Sequence, residues 1–297
     1  MSCKHDDVQQ LGPIEPLASG FVFAEAPRWH DESLWLSDVH AHCVIRLDDG
    51  GGELARFAFD DRVSGLGFLP SGDPLVVSMV DRQLVRFGNH HRSVHADLHG
   101  LCDGFLNDMC VDRLGRAYVN ARNVGGGAAG PRDAILLVQP DGQSSVAADR
   151  MQSPNGSVVT DDGSTFIVAE TSQARLTAFT INADGSLTDR RVFASVPGRH
   201  PDGICIDAEG AIWFGSPVTE EFVRVREGGE ILATVPTPGA WAIACDLGGR
   251  DGHTLFCVTG HNSIANLDRV RPDRNLDHTS DADGAVGTLT VPVPGVL

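Results

Sequence analysis

The sequence predicts an all-β protein, a six-bladed β-propeller with a central channel, and three observations carry that prediction. A strand–turn–strand unit recurs at intervals of roughly 40 to 48 residues. Short apolar runs are separated by turns such as Ser71-Gly72, Asp141-Gly142, Asp162-Gly163, Glu209-Gly210 and Gly228-Gly229. No stretch carries a convincing helical period, which disfavours a βαβ arrangement. Repeats of this length are propeller blades, because such a unit buries its faces only by stacking on its neighbours.

The copies run in order along the chain. The first passes from Glu25-Ala26-Pro27-Arg28-Trp29 through His30-Asp31 to Leu34-Trp35-Leu36. The second opens at Gly65-Leu66-Gly67-Phe68-Leu69 and returns at Leu75-Val76-Val77. Asn107-Asp108-Met109-Cys110-Val111 and Asn155-Gly156-Ser157-Val158-Val159 open the third and fourth. The fifth, from Asp202, is the most complete, with strands expected at 204–206, 212–214, 222–226 and 231–234. A looser sixth copy begins at Trp241-Ala242-Ile243 and reaches Leu255-Phe256-Cys257 after a longer turn. Gly287 to Val291 is followed by no new repeat and is expected to close the ring against N-terminal strands. Residues 1–16 are expected to form an N-terminal segment and 17–297 a single propeller domain. Insertions at 124–130 and 264–284 interrupt the third and sixth copies, and Trp29, Trp35 and Trp213 are expected to pack between blades.

The chain of 297 residues is 41% hydrophobic, enough for a large core. Its net charge of −17 disfavours nucleic acid or an anionic membrane surface as a partner. No run of 18 apolar residues occurs and the first residues are polar, so neither a membrane span nor a signal segment is expected. Seven cysteines form no CxxC pair, and four of them, Cys110, Cys205, Cys245 and Cys257, fall at apolar strand positions. Free buried thiols of that kind suit a reducing compartment, so cytoplasm is the expected location.

Chemistry enters at the residue that leads each copy. Inner strands of a propeller converge on the channel, so residues in one phase of the repeat meet at one mouth. The leading slots hold Glu25, Gly65, Asn107, Asn155, Asp202 and Trp241. Two carboxylates and two carboxamides form an all-oxygen set of the sort that hard divalent cations prefer. Asn and Asp also open turns for purely local reasons. Glu25 lies among small and apolar neighbours, where a buried carboxylate needs a partner.

These motifs resemble the senescence-marker-protein/gluconolactonase family of regucalcin-like lactonases. Glu25-Ala26-Pro27-Arg28-Trp29 is similar to its Glu-Gly-Pro-x-Trp opening. Leu106-Asn107-Asp108, Ser153-Pro154-Asn155-Gly156 and Pro201-Asp202-Gly203 are similar to its next three signatures, in order and spacing, and the likeness spans about residues 17 to 293. The resemblance implies a six-bladed propeller with one divalent cation held by Glu25, Asn155 and Asp202. Ca2+ stands first, with Mg2+, Mn2+ or Zn2+ as alternatives. It further implies Asp202 as the acid/base group, and Asn107 in the same cavity touching metal, water or substrate. Phe105 stands where sugar-lactone members often carry Arg, Ala26 replaces a Gly, and Trp241 occupies the sixth slot. With Asn107, Phe105 and Trp241 as the substrate contacts, the implied lactone or ester is less polar than a sugar lactone.

Other readings compete. A phosphotriesterase-type hydrolase or a non-catalytic metal- or ligand-binding propeller would share the architecture. Gly125 to Gly130 matches a dinucleotide fingerprint by letter, but Ile135-Leu136-Leu137-Val138 follows it as a strand and not as a helix. No GxSxG elbow supports a serine hydrolase. The His-rich tract around His90, His91, His95 and His99 reads as polar surface, whereas His40, His42 and His200 are candidate proton shuttles at the mouth.

Overall fold

Strands that are apolar on both faces need a sheet on either side, and six small sheets in a ring supply one to each. The computed structural model describes residues 8–88, 91–122, 133–261 and 283–296. The chain enters with β1 (Gln9–Gln10) and β2 (Glu15–Phe21). Blade one is β3 (Ala24–His30), β4 (Ser33–Asp38), β5 (Cys43–Leu47) and β6 (Glu53–Ala58). Blade two is β7 (Val63–Phe68), β8 (Pro74–Ser78), β9 (Gln83–Phe87) and β10 (Arg92–Asp97). Blade three is β11 (Phe105–Val111), β12 (Ala117–Arg122), β13 (Asp133–Val138) and β14 (Ser144–Met151). Blade four is β15 (Pro154–Val159), β16 (Thr165–Glu170), β17 (Arg175–Ile181) and β18 (Leu187–Ser195). Blade five is β19 (Ile204–Ile206), β20 (Ile212–Ser216), β21 (Glu221–Val225) and β22 (Ile231–Pro236), with β1 added parallel to β22. Blade six is β23 (Ala240–Gly248), β24 (Thr254–His261), β25 (Gly284–Thr290) and β2.

The pairing of β25 with β2 closes the ring as expected from the sequence, since the N-terminal strand completes the blade that the C-terminus leaves one strand short. A single 3-10 turn, Thr171–Gln173, is the helical structure among the described residues. None of these is a helix long and apolar enough to cross a membrane. The insertions at 124–130 and at 264–282 lie outside the described residues.

The core divides into six clusters, one at each interface between adjacent blades. Leu75, Val77, Leu106 and Leu136 fill the interface of blades two and three, for example, and Ile167, Leu176, Phe214 and Val223 that of blades four and five. Trp213 is fully buried between blades five and six, and Trp35 lies between blades one and two. Trp29 stacks on Phe256 at 5.2 Å between blades six and one. Such buried area is the main stabilising contribution to the fold.

The inner strands β3, β7, β11, β15, β19 and β23 touch one another in a closed circle. Five of them carry a bulge near the leading residue, including those at Glu25/Arg28, Leu106/Met109 and Pro154/Ser157. A bulge re-aims side chains and ends regular pairing, which turns polar groups towards the axis. Just beyond it the strands come so close that only a small residue fits. A Cβ on Gly156 would collide with Asp202, Gly203 and Ile204, and one on Gly203 with Ala244.

Candidate metal centre

The bulges fix which residues share one level of the channel, and they correct the sequence register in two blades. Gly156 N donates to the Asp202 carbonyl at 3.1 Å and Gly203 N to the Ile243 carbonyl at 2.9 Å. Ile243 therefore takes the slot assigned from sequence to Trp241. A Cβ on Gly65 would strike Asp108 and Met109, as one on Gly156 would strike the next inner strand, so the second slot belongs to Ser64 and not Gly65. Inter-blade contact decides this register, and no local pattern encodes it. The ring is Glu25, Ser64, Asn107, Asn155, Asp202 and Ile243. Ser64 and Ile243 are buried, while Glu25, Asn107, Asn155 and Asp202 are partly exposed, so solvent reaches these four and not the other two.

Hydrogen bonds link three of these four residues. Asn107 Nδ2 donates to Asn155 Oδ1 at 3.4 Å, and the Asn155 side chain bonds to Asp202. Fully buried Asn120 on β12 donates from Nδ2 to the Asn155 carbonyl. Glu25 Oε2 accepts from Ala26 N at 3.1 Å. Asp202 Oδ1 is buried and has no hydrogen-bond partner. An orphaned carboxylate oxygen in such surroundings is costly.

The electrostatics point the same way. Burial, then the charges of Asp202 and Asp108, push the Glu25 carboxyl well above the usual carboxylate range. Burial and Asp108 push Asp202 up to about 7, although the Asn155 hydrogen bond and Arg122 oppose them. Asp108, 3% exposed, is itself raised by burial, against the pull of Arg28 and of the Met109 N–H. Below the ring, Arg28 Nη2 reaches Asp108 Oδ1 at 3.4 Å and the Met109 carbonyl at 2.9 Å, and Nη1 bonds the Pro27 carbonyl at 2.8 Å. Burial works against the Arg28 charge, but Asp108 and Asp246 hold it firmly protonated. Asp246, whose Oδ2 accepts from Trp29 N at 2.6 Å, is raised by burial to about 6. Four acids thus crowd the channel around one partly buried guanidinium.

Sequence reasoning missed Arg28, Asp108, Asp246 and Asn120. The available signal was position: Arg28, Cys110, Cys205 and Asp246 each stand three residues after a ring member, one level down. Two residues before the ring, towards the mouth, stand Phe23, Arg62, Phe105, Ser153, His200 and Trp241. Phe105 is partly buried against the cluster of blades two and three, and Trp241 is 8% exposed between blades six and one. A ring nitrogen of His200 lies 3.0 Å from the Thr171 carbonyl, and His40 packs edge-on against Phe23 at 5.7 Å. His91 and His99 are exposed beside β10, and His90 lies outside the described residues.

Among the described residues, no group of three or more His, Cys, Asp and Glu side chains is placed to hold a metal ion. The donors here are a mixed set: two carboxylates, one with an orphaned oxygen, beside two carboxamides. A divalent cation fits that set, because it would partner Asp202 Oδ1 and relieve the repulsion among Glu25, Asp108 and Asp202. Groups of this type at a channel mouth can also hold water or a carbonyl oxygen through the carboxamides.

Comparison with known proteins adds three findings. The family described as SMP-30/Gluconolactonase/LRE-like region matches residues 23–261. Regucalcin from Gallus gallus is 23% identical over 254 residues, covering 82% of this chain and 85% of its own. Among solved structures, a calcium-binding regucalcin from Agrobacterium tumefaciens superposes with a TM-score of 0.77 at 19% identity, covering 98% of this chain and 97% of its own. A gluconolactonase from Xanthomonas campestris gives 0.68 at 23% identity, covering 84% and 93%. At these identities the superpositions establish the propeller fold.

Proposed function

The chain belongs to the SMP-30/gluconolactonase/LRE-like family, and on that premise we propose that it is a divalent-cation-dependent lactonase whose site is the ring of Glu25, Asn107, Asn155 and Asp202. The observation that carries this reading is Asp202. Its carboxylate combines an orphaned buried oxygen with a proton affinity near neutrality. Glu25, Asn155 and Asp202 would hold the cation, with Ca2+ favoured by the all-oxygen set and by the calcium-binding name of a structural neighbour. A bound cation supplies Lewis-acid polarisation of the lactone carbonyl and lowers the pKa of nearby acids.

The remaining work falls to side chains. Asn107 orients the carbonyl or the attacking water through its carboxamide. Asp202 takes a proton from water as the water oxygen bonds to the carbonyl carbon. When the ring C–O bond breaks, the proton passes to the departing ring oxygen and the product is a hydroxy acid. Phe105 and Trp241 would offer apolar surface to the lactone on the mouth side. Asn120 holds the Asn155 backbone, and Arg28 holds Asp108 beneath the site. The location consistent with free buried cysteines is the cytoplasm.

The test is turnover of a lactone panel by chelator-stripped protein, with Ca2+, Mg2+, Mn2+ and Zn2+ restored separately and Asp202→Ala in parallel. Activity that returns with a cation and is absent from Asp202→Ala supports the reading. Turnover indifferent to the chelator and to the substitution contradicts it. A cation-dependent protein that is inert on lactones but cleaves phosphotriesters would transfer the same site to the alternative chemistry.

A further inference from the structure

Arg122 is a cation near the mouth to which the proposed lactonase chemistry gives no role. Arg122 ends β12 and lies directly opposite Phe105 of β11 in the strand register, where facing side chains share one side of the sheet. Its Nε lies 3.2 Å from Asp133 Oδ2, and its side chain remains 31% exposed. Asp133 is 6% exposed and its Oδ2 also accepts from Ser153 N at 3.1 Å, so the acid is fixed to blade four and fixes Arg122 in turn. Arg28, by contrast, is committed below the ring to Asp108 and to the Pro27 and Met109 carbonyls. Arg122 is the positive charge felt at Asp202. It combines partial exposure with an aromatic neighbour, Phe105, that stands two residues before the ring member Asn107. An ion pair through Nε engages one edge of the guanidinium, whose outer Nη edge is a second, planar fork of the kind that suits a carboxylate.

We infer that Arg122 anchors an anionic substituent of the substrate, so that the preferred lactone carries a carboxylate beside an apolar ring face lying on Phe105. The inference rests on the lactonase reading of the ring and adds the substrate class to it. In a chain of net charge −17, an anionic substrate needs such a local cation in addition to any metal.

The experiment compares a lactone bearing a carboxylate with its neutral methyl ester, using full-length protein saturated with Ca2+. Wild type, Arg122→Met and Arg122→Lys are assayed, and binding of the non-hydrolysable lactam carboxylate is measured by calorimetry. The expected result is a KM for the carboxylate roughly 10- to 100-fold below that of the ester, the range of a charge-assisted hydrogen bond. Arg122→Met should collapse that ratio while moving the ester far less, and Arg122→Lys should restore part of it. Equal KM values in wild type would overturn the inference. So would a parallel rise in both KM values for Arg122→Met, or a lower melting temperature with unchanged kinetics. If neither lactone is turned over but the lactam binds wild type and not Arg122→Met, the anion site stands and the lactonase reading falls. If the lactam does not bind at all, both fall.

Discussion

Replacing Asp202 by Asn should stabilise the cation-free protein at alkaline pH and destabilise the cation-bound one. The carboxyl is raised to about 7 in the folded chain, against 3.8 unfolded. A raised carboxyl binds its proton more tightly when folded, so the native state loses stability as pH climbs from the lower value to the upper. Below the window the wild type carries no penalty, and above it the whole penalty. The full shift corresponds to about 4 kcal/mol, and the part between pH 5 and pH 7 to about 2.7 kcal/mol, at 1.36 kcal/mol per unit. Relaxation and water entry in a partly open site should halve this, leaving a gain for Asp202→Asn of about 2 kcal/mol at pH 8 and distinctly less at pH 5. At about 2 °C per kcal/mol for a chain of this size, calorimetric melting in chelator should show a rise of about 4 °C. With Ca2+ in hundredfold excess over Kd the wild type gains about 2.7 kcal/mol, whereas a variant that binds about a hundredfold more weakly gains about 0.4 kcal/mol, so their order inverts. A variant that melts below wild type in chelator at pH 8, or by the same margin at pH 5 and 8, would refute the crowded-carboxylate account.

Arg28→Met removes the cation between Asp108 and Asp246, leaving both acids buried without compensation, and should cost about 3–5 kcal/mol. Urea unfolding at pH 8 checks this, with a smaller loss at pH 5, where Asp246 at about 6 is mostly protonated. Gly203→Val drives a branched side chain into Ala244 of the next inner strand and should destabilise by at least about 3 kcal/mol, read in the same assay. A well-folded Gly203→Val with native stability would contradict the register of the ring. A thiol reagent should leave the six described cysteines of the native protein unreacted, because all are buried. Rapid labelling of several equivalents would show that the blade interfaces open.

The parts of this molecule that repeat were legible from its sequence. Each blade spells its own first hairpin, and turn glycines at Gly115, Gly163 and Gly210 adopt the positive φ that marks them. The strands expected in the fifth copy match β19 to β22 within about two residues. Glu25, Asn107, Asn155 and Asp202 were found because polar residues in one phase of a propeller repeat must meet at one level. Ser64 and Ile243 were misplaced by one and two residues, since a bulge shifts register without leaving a composition cue. Arg28, Asp108 and Asp246 come from three strands far apart in sequence, and only their convergence identifies them as one charge group. Asn120 lies on a second strand, where nothing local separates it from any buried amide.

The most direct test of the central claim is a calorimetric titration of chelator-stripped protein with Ca2+ at pH 7.5. One site per chain is expected, at least tenfold weaker in Glu25→Gln and in Asp202→Asn, with protons released on binding because the Asp202 carboxyl, raised to about 7, starts partly protonated. A chain that takes up no divalent cation, or one whose site is untouched by either substitution, would contradict it.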